Sequence, residues 1–140
     1  MDNLLVDTNV VLDLLAKREE FYQEAQALFT LSDQGLVKLY VSSLSFANTH
    51  YILSQQLKVD NARKILRKFK VLVEMVALHD KLIELSLDSD FKDFEDAIQY
   101  YSALESQVDI IITRNKKDFK LSQLPVLTAK EYIARLKKQL

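Results

Sequence analysis

Cysteine is absent from this 140-residue chain, and glycine and proline occur once each. Without cysteine there is neither a disulfide framework nor a thiolate metal site. One glycine and one proline argue against Gly-rich phosphate loops, flexible linkers and an all-β fold with many tight turns. A dominant charge is missing as well: 19 Lys and Arg balance 20 Asp and Glu, for a net charge of −1. That balance gives no global pull toward nucleic acid or acidic membranes, so any nucleic-acid contact must come from a local basic patch. No apolar run approaches the ~20 residues that span a bilayer. The N-terminus shows no basic segment followed by an apolar stretch, so no signal peptide is expected. What remains is 49% hydrophobic and 28% charged, an ordinary globular composition. The expectation is a soluble, cytoplasmic, single domain over residues 1–140, long enough to bury a core.

Short Val- and Ile-rich runs mark strands at Leu4–Val6, Leu39–Ser42, part of Val71–Leu78, Ile110–Thr113 and Val126–Leu127. Runs of this kind without polar alternation fit strands buried on both faces, as in parallel sheets. Helical spacing separates them: Phe21, Ala25, Leu28 and Phe29; Phe46, Ile52, Leu53 and Leu57; Leu82, Ile83, Leu85 and Leu87; Ala97, Ile98, Tyr101 and Leu104. Asp60 is placed to cap the segment carrying Ile65, Leu66 and Phe69. Thr128 and Glu131 have capping-box spacing ahead of Tyr132, Ile133 and Leu136 and start a C-terminal helix. Gly35 reads as a helix stop. Strands alternating with helices predict an α/β layered domain with a mainly parallel sheet.

Three polar clusters fall at element ends. Asp7-Thr8-Asn9 follows the first strand, Asp93-Phe94-Glu95-Asp96 opens a helix, and Thr113-Arg114-Asn115 follows the Ile-rich strand. Helix capping explains any one of these acids, because carboxylates favour the first turn and the N-cap. It does not explain their recurrence where ligands gather in open parallel sheets, beyond the carboxyl ends of the strands. A chemical reading covers all of them. Hard cations such as Mg²⁺ and Mn²⁺ prefer oxygen ligands from a few carboxylates, with water completing the shell. Such an ion can polarise a phosphodiester and activate a water. His50, inside an apolar-spaced helix, and His79, at a strand-to-helix junction, match no metal-ligand spacing and read as structural. The Tyr100-Tyr101 pair reads as packing or bordering a site rather than as a stacking platform.

Together these residues resemble the PIN-domain family of metal-dependent ribonucleases, which includes the VapC-type toxins of bacterial toxin–antitoxin pairs. Leu5-Val6-Asp7-Thr8-Asn9-Val10-Val11-Leu12-Asp13 is similar to the family's first motif. Asp96-Ala97 falls where the family has a helix-borne aspartate followed by alanine. Ile111-Ile112-Thr113-Arg114-Asn115-Lys116-Lys117-Asp118-Phe119 is similar to the last motif, and Leu124-Pro125-Val126-Leu127-Thr128 to the last short strand. Two positions depart from the pattern: Asn48 stands near the family's second-helix glutamate, and Asn115 at the last motif's aspartate, with Asp118 three residues later. The resemblance implies a three-layer α/β/α fold with a five-stranded, mainly parallel sheet and an acidic pocket at one edge. It implies a catalytic set of Asp7, Asp93, Asp96 and Asn115. Asp7, Asp93 and Asp96 would hold Mg²⁺ or Mn²⁺, supported by Asn9, Asn48, Thr113 and Asp118. Arg114, Lys116 and Lys117, directly after the Ile-rich strand, are the expected RNA-phosphate contacts.

Three functions compete. The first is a metal-dependent endoribonuclease, the toxin of a toxin–antitoxin pair, with RNA and an antitoxin protein as partners and a homodimer as a further assembly. The second is a PIN-like module with a degraded metal site that binds RNA or a protein. The third is a phosphatase or phosphotransferase with Asp7 as nucleophile. Asn9 stands where that chemistry wants a second acid, which ranks it last.

Overall fold

A computed structural model describes residues 1–139. The elements in chain order are β1 (Asp2–Val6), α1 (Thr8–Leu15), α2 (Tyr22–Asp33), β2 (Val37–Ser42), α3 (Ser43–Gln56), α4 (Val59–Lys70), β3 (Glu74–Val76), α5 (Asp80–Leu87), α6 (Phe94–Glu105) and β4 (Ile110–Ile112). A 3₁₀ turn at Lys116–Phe119, then β5 (Val126–Leu127) and α7 (Ala129–Gln139), complete the order. The five strands lie in the order β3-β2-β1-β4-β5. Every pair is parallel, where the sequence suggested only a mainly parallel sheet.

The pleat explains the apolar runs. Leu4 and Val6 of β1, Leu39 and Val41 of β2, and Ile110 and Ile112 of β4 face a core built with α1, α2, α7 and Phe69 of α4. Leu5 and Ile111 point the other way, toward Tyr100 and Ala103 of α6 and Phe119 of the 3₁₀ turn. Successive side chains of a strand face opposite sides, and in β4 and the second half of β1 both sides are buried, so those positions are apolar throughout. The result is a three-layer α/β/α sandwich.

Local punctuation follows the sequence in most places. Thr128 and Glu131 form a reciprocal capping box, Thr128 N–H donating to Glu131 Oε1 at 2.9 Å and Glu131 N–H to Thr128 Oγ1 at 3.1 Å. Gly35 takes φ +73° just past the end of α2, a left-handed conformation that glycine adopts at no steric cost. Two expectations need correction. Asp60 is not the cap of α4: the helix starts from Lys58, leaving Asp60 in the first turn, where its charge meets the helix dipole. Thr113 lies beyond β4, which ends at Ile112, although its N–H still donates to Leu127 O at 3.0 Å.

Strand order places β1 at the centre, with β2 and β4 beside it. The carboxyl ends of these three strands release the chain at Asp7, Ser43 and Thr113. The three polar segments therefore leave the sheet side by side.

Candidate active site

Asp7 is built into the sheet edge. Its N–H donates to Ile112 O at 2.9 Å, extending the β1–β4 ladder by one residue. Its backbone is extended (φ −70°, ψ 155°), as an N-cap requires, and Oδ1 accepts from Thr8 N at 2.8 Å. Oδ2 accepts from the wholly buried Thr113 hydroxyl at 2.8 Å. Asn9 Nδ2 lies 3.5 Å from the same oxygen and 3.3 Å from Thr113 Oγ1. Asn9 Oδ1 in turn accepts from Arg114 N at 3.3 Å. The capping role is real, and it orients the carboxylate without supplying a positive partner. Only 8% of Asp7 is exposed. Burial raises its pKa, the Thr113 and Thr8 hydrogen bonds oppose that rise, and the charges of Asp118 and Asp93 add to it.

Helix α6 brings the second group of acids. Asp93 is its N-cap, accepting from Asp96 N at 3.0 Å. Asp96, one turn in, has its pKa pushed up to about 7, first by burial and then by the charges of Asp93, Asp7, Asp118 and Glu95. Asp7 and Asp96 are separated by about ninety residues of chain, yet each lies in the field of the same neighbours. In front of Asp96 opens a cleft of about 370 Å³, lined by Asp90, Asp93, Asp96 and Asp118 together with Lys92, Lys117 and Lys120; Asp7 lies behind this lining.

A hydroxyl–amide network ties the three segments together. Thr8 Oγ1 and Ser45 Oγ lie 2.7 Å apart. Gln99 Nε2 donates to both, at 3.2 Å and 2.7 Å. Ser45 is also held by the N-cap Ser42, whose Oγ accepts from Ser45 N at 3.1 Å. The first turns of α1 and α3 are thereby fixed to α6 one turn beyond Asp96.

Several expected site residues lie elsewhere or act differently. Arg114 turns away from the cleft: its Nε donates to Asp13 Oδ2 at 2.7 Å and its guanidinium lies 4.1 Å from the Phe21 ring centroid. That engagement removes it from the expected phosphate contacts. Lys116 pairs with Glu131 at 3.0 Å, and Lys117 alone of the three borders the cleft. Asn115 is exposed at the start of the 3₁₀ turn and is tied through its backbone N–H to Thr113 Oγ1 at 3.1 Å. Asp118 is the acid of that segment whose charge reaches both Asp7 and Asp96. Asn48 donates to Glu95 Oε2 at 3.4 Å, linking α3 to the first turn of α6. His79 pairs with Glu105, away from these acids.

Asp13, Ser45 and Gln99 went unassigned in the sequence. Asp13 carried a signal: an acid amid Val10, Val11, Leu12, Leu14 and Leu15 needs a partner once the helix packs. Ser45 and Gln99 carried none, because a polar side chain on a helix is ordinarily a solvated one.

Among the described residues, no three His, Asp or Glu side chains converge closely enough to enclose a metal ion by themselves. The donor set nevertheless fits a hard divalent ion. It offers carboxylate oxygens, two of whose pKa values are raised by burial and mutual repulsion, and the nearest arginine is committed to Asp13. Mg²⁺ keeps several waters and takes one or two carboxylates plus substrate phosphates, so a two-acid site facing an open cleft suits it better than a closed cage.

Comparison with known proteins converges on one family. The PIN domain family model matches residues 3–117. The chain is 28% identical over 142 residues to Ribonuclease VapC1 of Aquifex aeolicus, an alignment covering 96% of this chain and 95% of that protein. Its fold is similar to that of VapBC2 from Rickettsia felis bound to a promoter DNA fragment, with a TM-score of 0.67, 18% identity, and coverage of 89% of this chain and 96% of that one. It is also similar to VapC20 of Mycobacterium tuberculosis, a sarcin–ricin loop cleaving toxin, with a TM-score of 0.62, 14% identity, and coverage of 77% and 86%.

Proposed function

The chain belongs to the PIN-domain family, and on that premise we propose that it is a metal-dependent endoribonuclease, the toxin of a toxin–antitoxin pair. The observation that carries this reading is the pair Asp7 and Asp96, two acids from distant parts of the chain held at one sheet edge with raised pKa values and no cationic partner. The similarity to Ribonuclease VapC1 supports RNA as the substrate, and a fold likeness to a toxin–antitoxin complex from Klebsiella pneumoniae supports an antitoxin protein as partner; a homodimer is a further assembly in this reading. We read residues 1–140 as one domain.

Asp7 and Asp96 would hold Mg²⁺ or Mn²⁺, with Asp93 and Asp118 adding negative charge beside them. When bound, such an ion supplies Lewis acidity toward a phosphodiester and favours deprotonation of water. The protein's own groups prepare that chemistry. Thr113 and the Thr8 N–H fix the two oxygens of Asp7, so its carboxylate is oriented before anything binds. Asp96 holds a proton at its carboxyl near neutrality in the ion-free site and gives it up when positive charge arrives. Lys92, Lys117 and Lys120 line the cleft, where RNA phosphates would pass.

A second reading, a binding module without catalysis, is favoured by one observation: Asn48 and Asn115 occupy positions where the family pattern has acids. Incubating the purified chain with RNA in Mn²⁺, with and without a chelator, separates the two. We expect cleavage in Mn²⁺, none in chelator, and none from Asp96→Asn. Cleavage that survives the chelator or the substitution would overturn the assignment.

A further inference from the structure

The expected phosphate contacts are largely committed elsewhere, Arg114 to Asp13 and Lys116 to Glu131, and in the cleft Lys92, Lys117 and Lys120 are outnumbered by Asp90, Asp93, Asp96 and Asp118. A chain with a net charge of −1 that handles a polyanion still needs a local cationic surface. The structure has one, on the other flank of α3. Between Lys58 and Lys70 lie six cations, Lys58, Arg63, Lys64, Arg67, Lys68 and Lys70, against the single acid Asp60. All six are exposed. Among the described residues none forms an ion pair: the pairs present involve Arg18, Lys38, His79, Arg114 and Lys116.

Their arrangement on α4 is ordered. Arg63, Arg67 and Lys70 recur at helical spacing and line one side of a shallow groove of about 230 Å³ floored by Phe46 and Leu66. Three residues at this spacing span about 10 Å along the helix. Lys64 and Lys68 form a second row beside them. The groove reaches the acidic site through α3: Phe46 follows directly on Ser45, which is bonded to Thr8 and Gln99.

We propose that the α4 face binds the phosphate backbone of RNA outside the cleavage cleft and anchors the substrate strand. This rests on the reading of the chain as a ribonuclease. Charge complementarity selects the occupant. The cations extend in two rows, beyond the three that border the groove, as a chain of evenly spaced phosphates requires. The apolar floor is small, with Phe46 largely engaged against Phe69, so a peptide docking by apolar burial finds little area here. Arginine suits the role through its bidentate fit to phosphate.

The test uses the whole chain and a fluorescein-labelled, mixed-sequence single-stranded RNA, with anisotropy read in chelator across a salt series. Each phosphate contact to a single strand contributes about 0.7 to the slope of log K against log salt. Arg63→Gln/Arg67→Gln/Lys70→Gln should therefore lower that slope by about 2 and weaken binding on the order of a hundredfold near ~0.1 M salt. A control, Lys130→Gln/Lys137→Gln/Lys138→Gln on α7, should leave both unchanged, and circular dichroism melts should match throughout. Binding within twofold of the unsubstituted chain and an unchanged slope would overturn the proposal. So would loss of binding to an acidic amphipathic peptide while RNA binding stays intact, which would make the groove a protein-docking face. Cleavage of the same RNA in Mn²⁺ is read in parallel. An unsubstituted chain that binds through α4 but never cleaves fails the nuclease reading and leaves this one standing.

Discussion

Helix α1 carries a buried aspartate at each end of its first two turns, and the two have opposite fates. Asp7 is 8% exposed and Asp13 is 1% exposed. Asp13 accepts from Arg114 Nε at 2.7 Å and lies 3.8 Å from Arg18 Nη1. Asp7 receives only neutral donors, the Thr8 amide, the Thr113 hydroxyl and, at 3.5 Å, the Asn9 side-chain amide. A buried carboxylate with an arginine has its charge compensated and fixes structure, although Asp13 Oδ1 accepts no hydrogen bond. One that is oriented but left without positive charge holds unspent affinity for a cation. The same loop serves both: Thr113 points at Asp7 and the next residue, Arg114, points at Asp13. On the proposed reading, the helix end that lacks a counter-charge is the one that would hold the ion.

Substitutions at the two acids should part company. Asp7→Asn should lower RNA cleavage on the order of a thousandfold or more, the scale of losing a central catalytic group. It should leave urea stability in chelator unchanged or raised, because it removes a repelled buried charge. Asp13→Ala should do the reverse, costing about 3 kcal/mol in urea melts by leaving Arg114 half-buried and unpaired. The lower end of that range applies because the arginine side chain keeps 25% exposure and its contact with Phe21. If Asp13→Ala proves as stable as the unsubstituted chain, the contrast fails.

Thr113→Val should fall between them. It removes the hydroxyl that holds Asp7 Oδ2, costing about 2 kcal/mol for a hydrogen bond to a charged group and reducing divalent-ion affinity by roughly 10- to 100-fold, as loss of a supporting partner does. Calorimetric titration with Mn²⁺ reads the second effect, and unchanged affinity would separate Thr113 from the site.

A pH effect of smaller size follows from Asp96. Its folded pKa of about 7 lies above the ordinary 3.8, so between these values the unfolded chain has released a proton that the folded chain retains. Stability in chelator should therefore fall as pH rises from about 4 to about 7. Asp96→Asn should flatten that slope, and Mn²⁺ should restore the lost stability at pH 7.5 but not at pH 5. A melting temperature that rises across this window would contradict the electrostatics. Smallest of all, Lys116→Ala should change stability by less than about 0.5 kcal/mol, since its exposed pair with Glu131 is screened by water; a larger loss would make that pair structural.

Much of this was legible in the chain. The strand cores at Leu4–Val6 and Ile110–Ile112, the Thr128–Glu131 capping box and the Gly35 stop are written in short-range pattern, and each is where local chemistry placed it. Which acids approach one another depended on strand order, and the parallel order that puts β4 beside β1 made Thr113 a partner of Asp7. Arg114 was expected to meet phosphate because charge following a strand reads as available to a ligand until the packing of α1 and α2 reveals Asp13 and Phe21 beside it. Ser45 and Gln99 were silent for the same reason. Their role exists only where α1, α3 and α6 meet, and helical spacing records a face without naming its neighbour.

The most direct measurement of the central idea, that Asp7 and Asp96 serve one ion, is a double-substitution cycle on Mn²⁺ affinity at pH 7.5. Calorimetric titration of the unsubstituted chain, Asp7→Asn, Asp96→Asn and the double variant gives the coupling between the two acids. If they share an ion, each single substitution should remove most of the binding and the double should lose little more. Losses that simply add, or a single variant that binds as tightly as the unsubstituted chain, would show that the two carboxylates act apart.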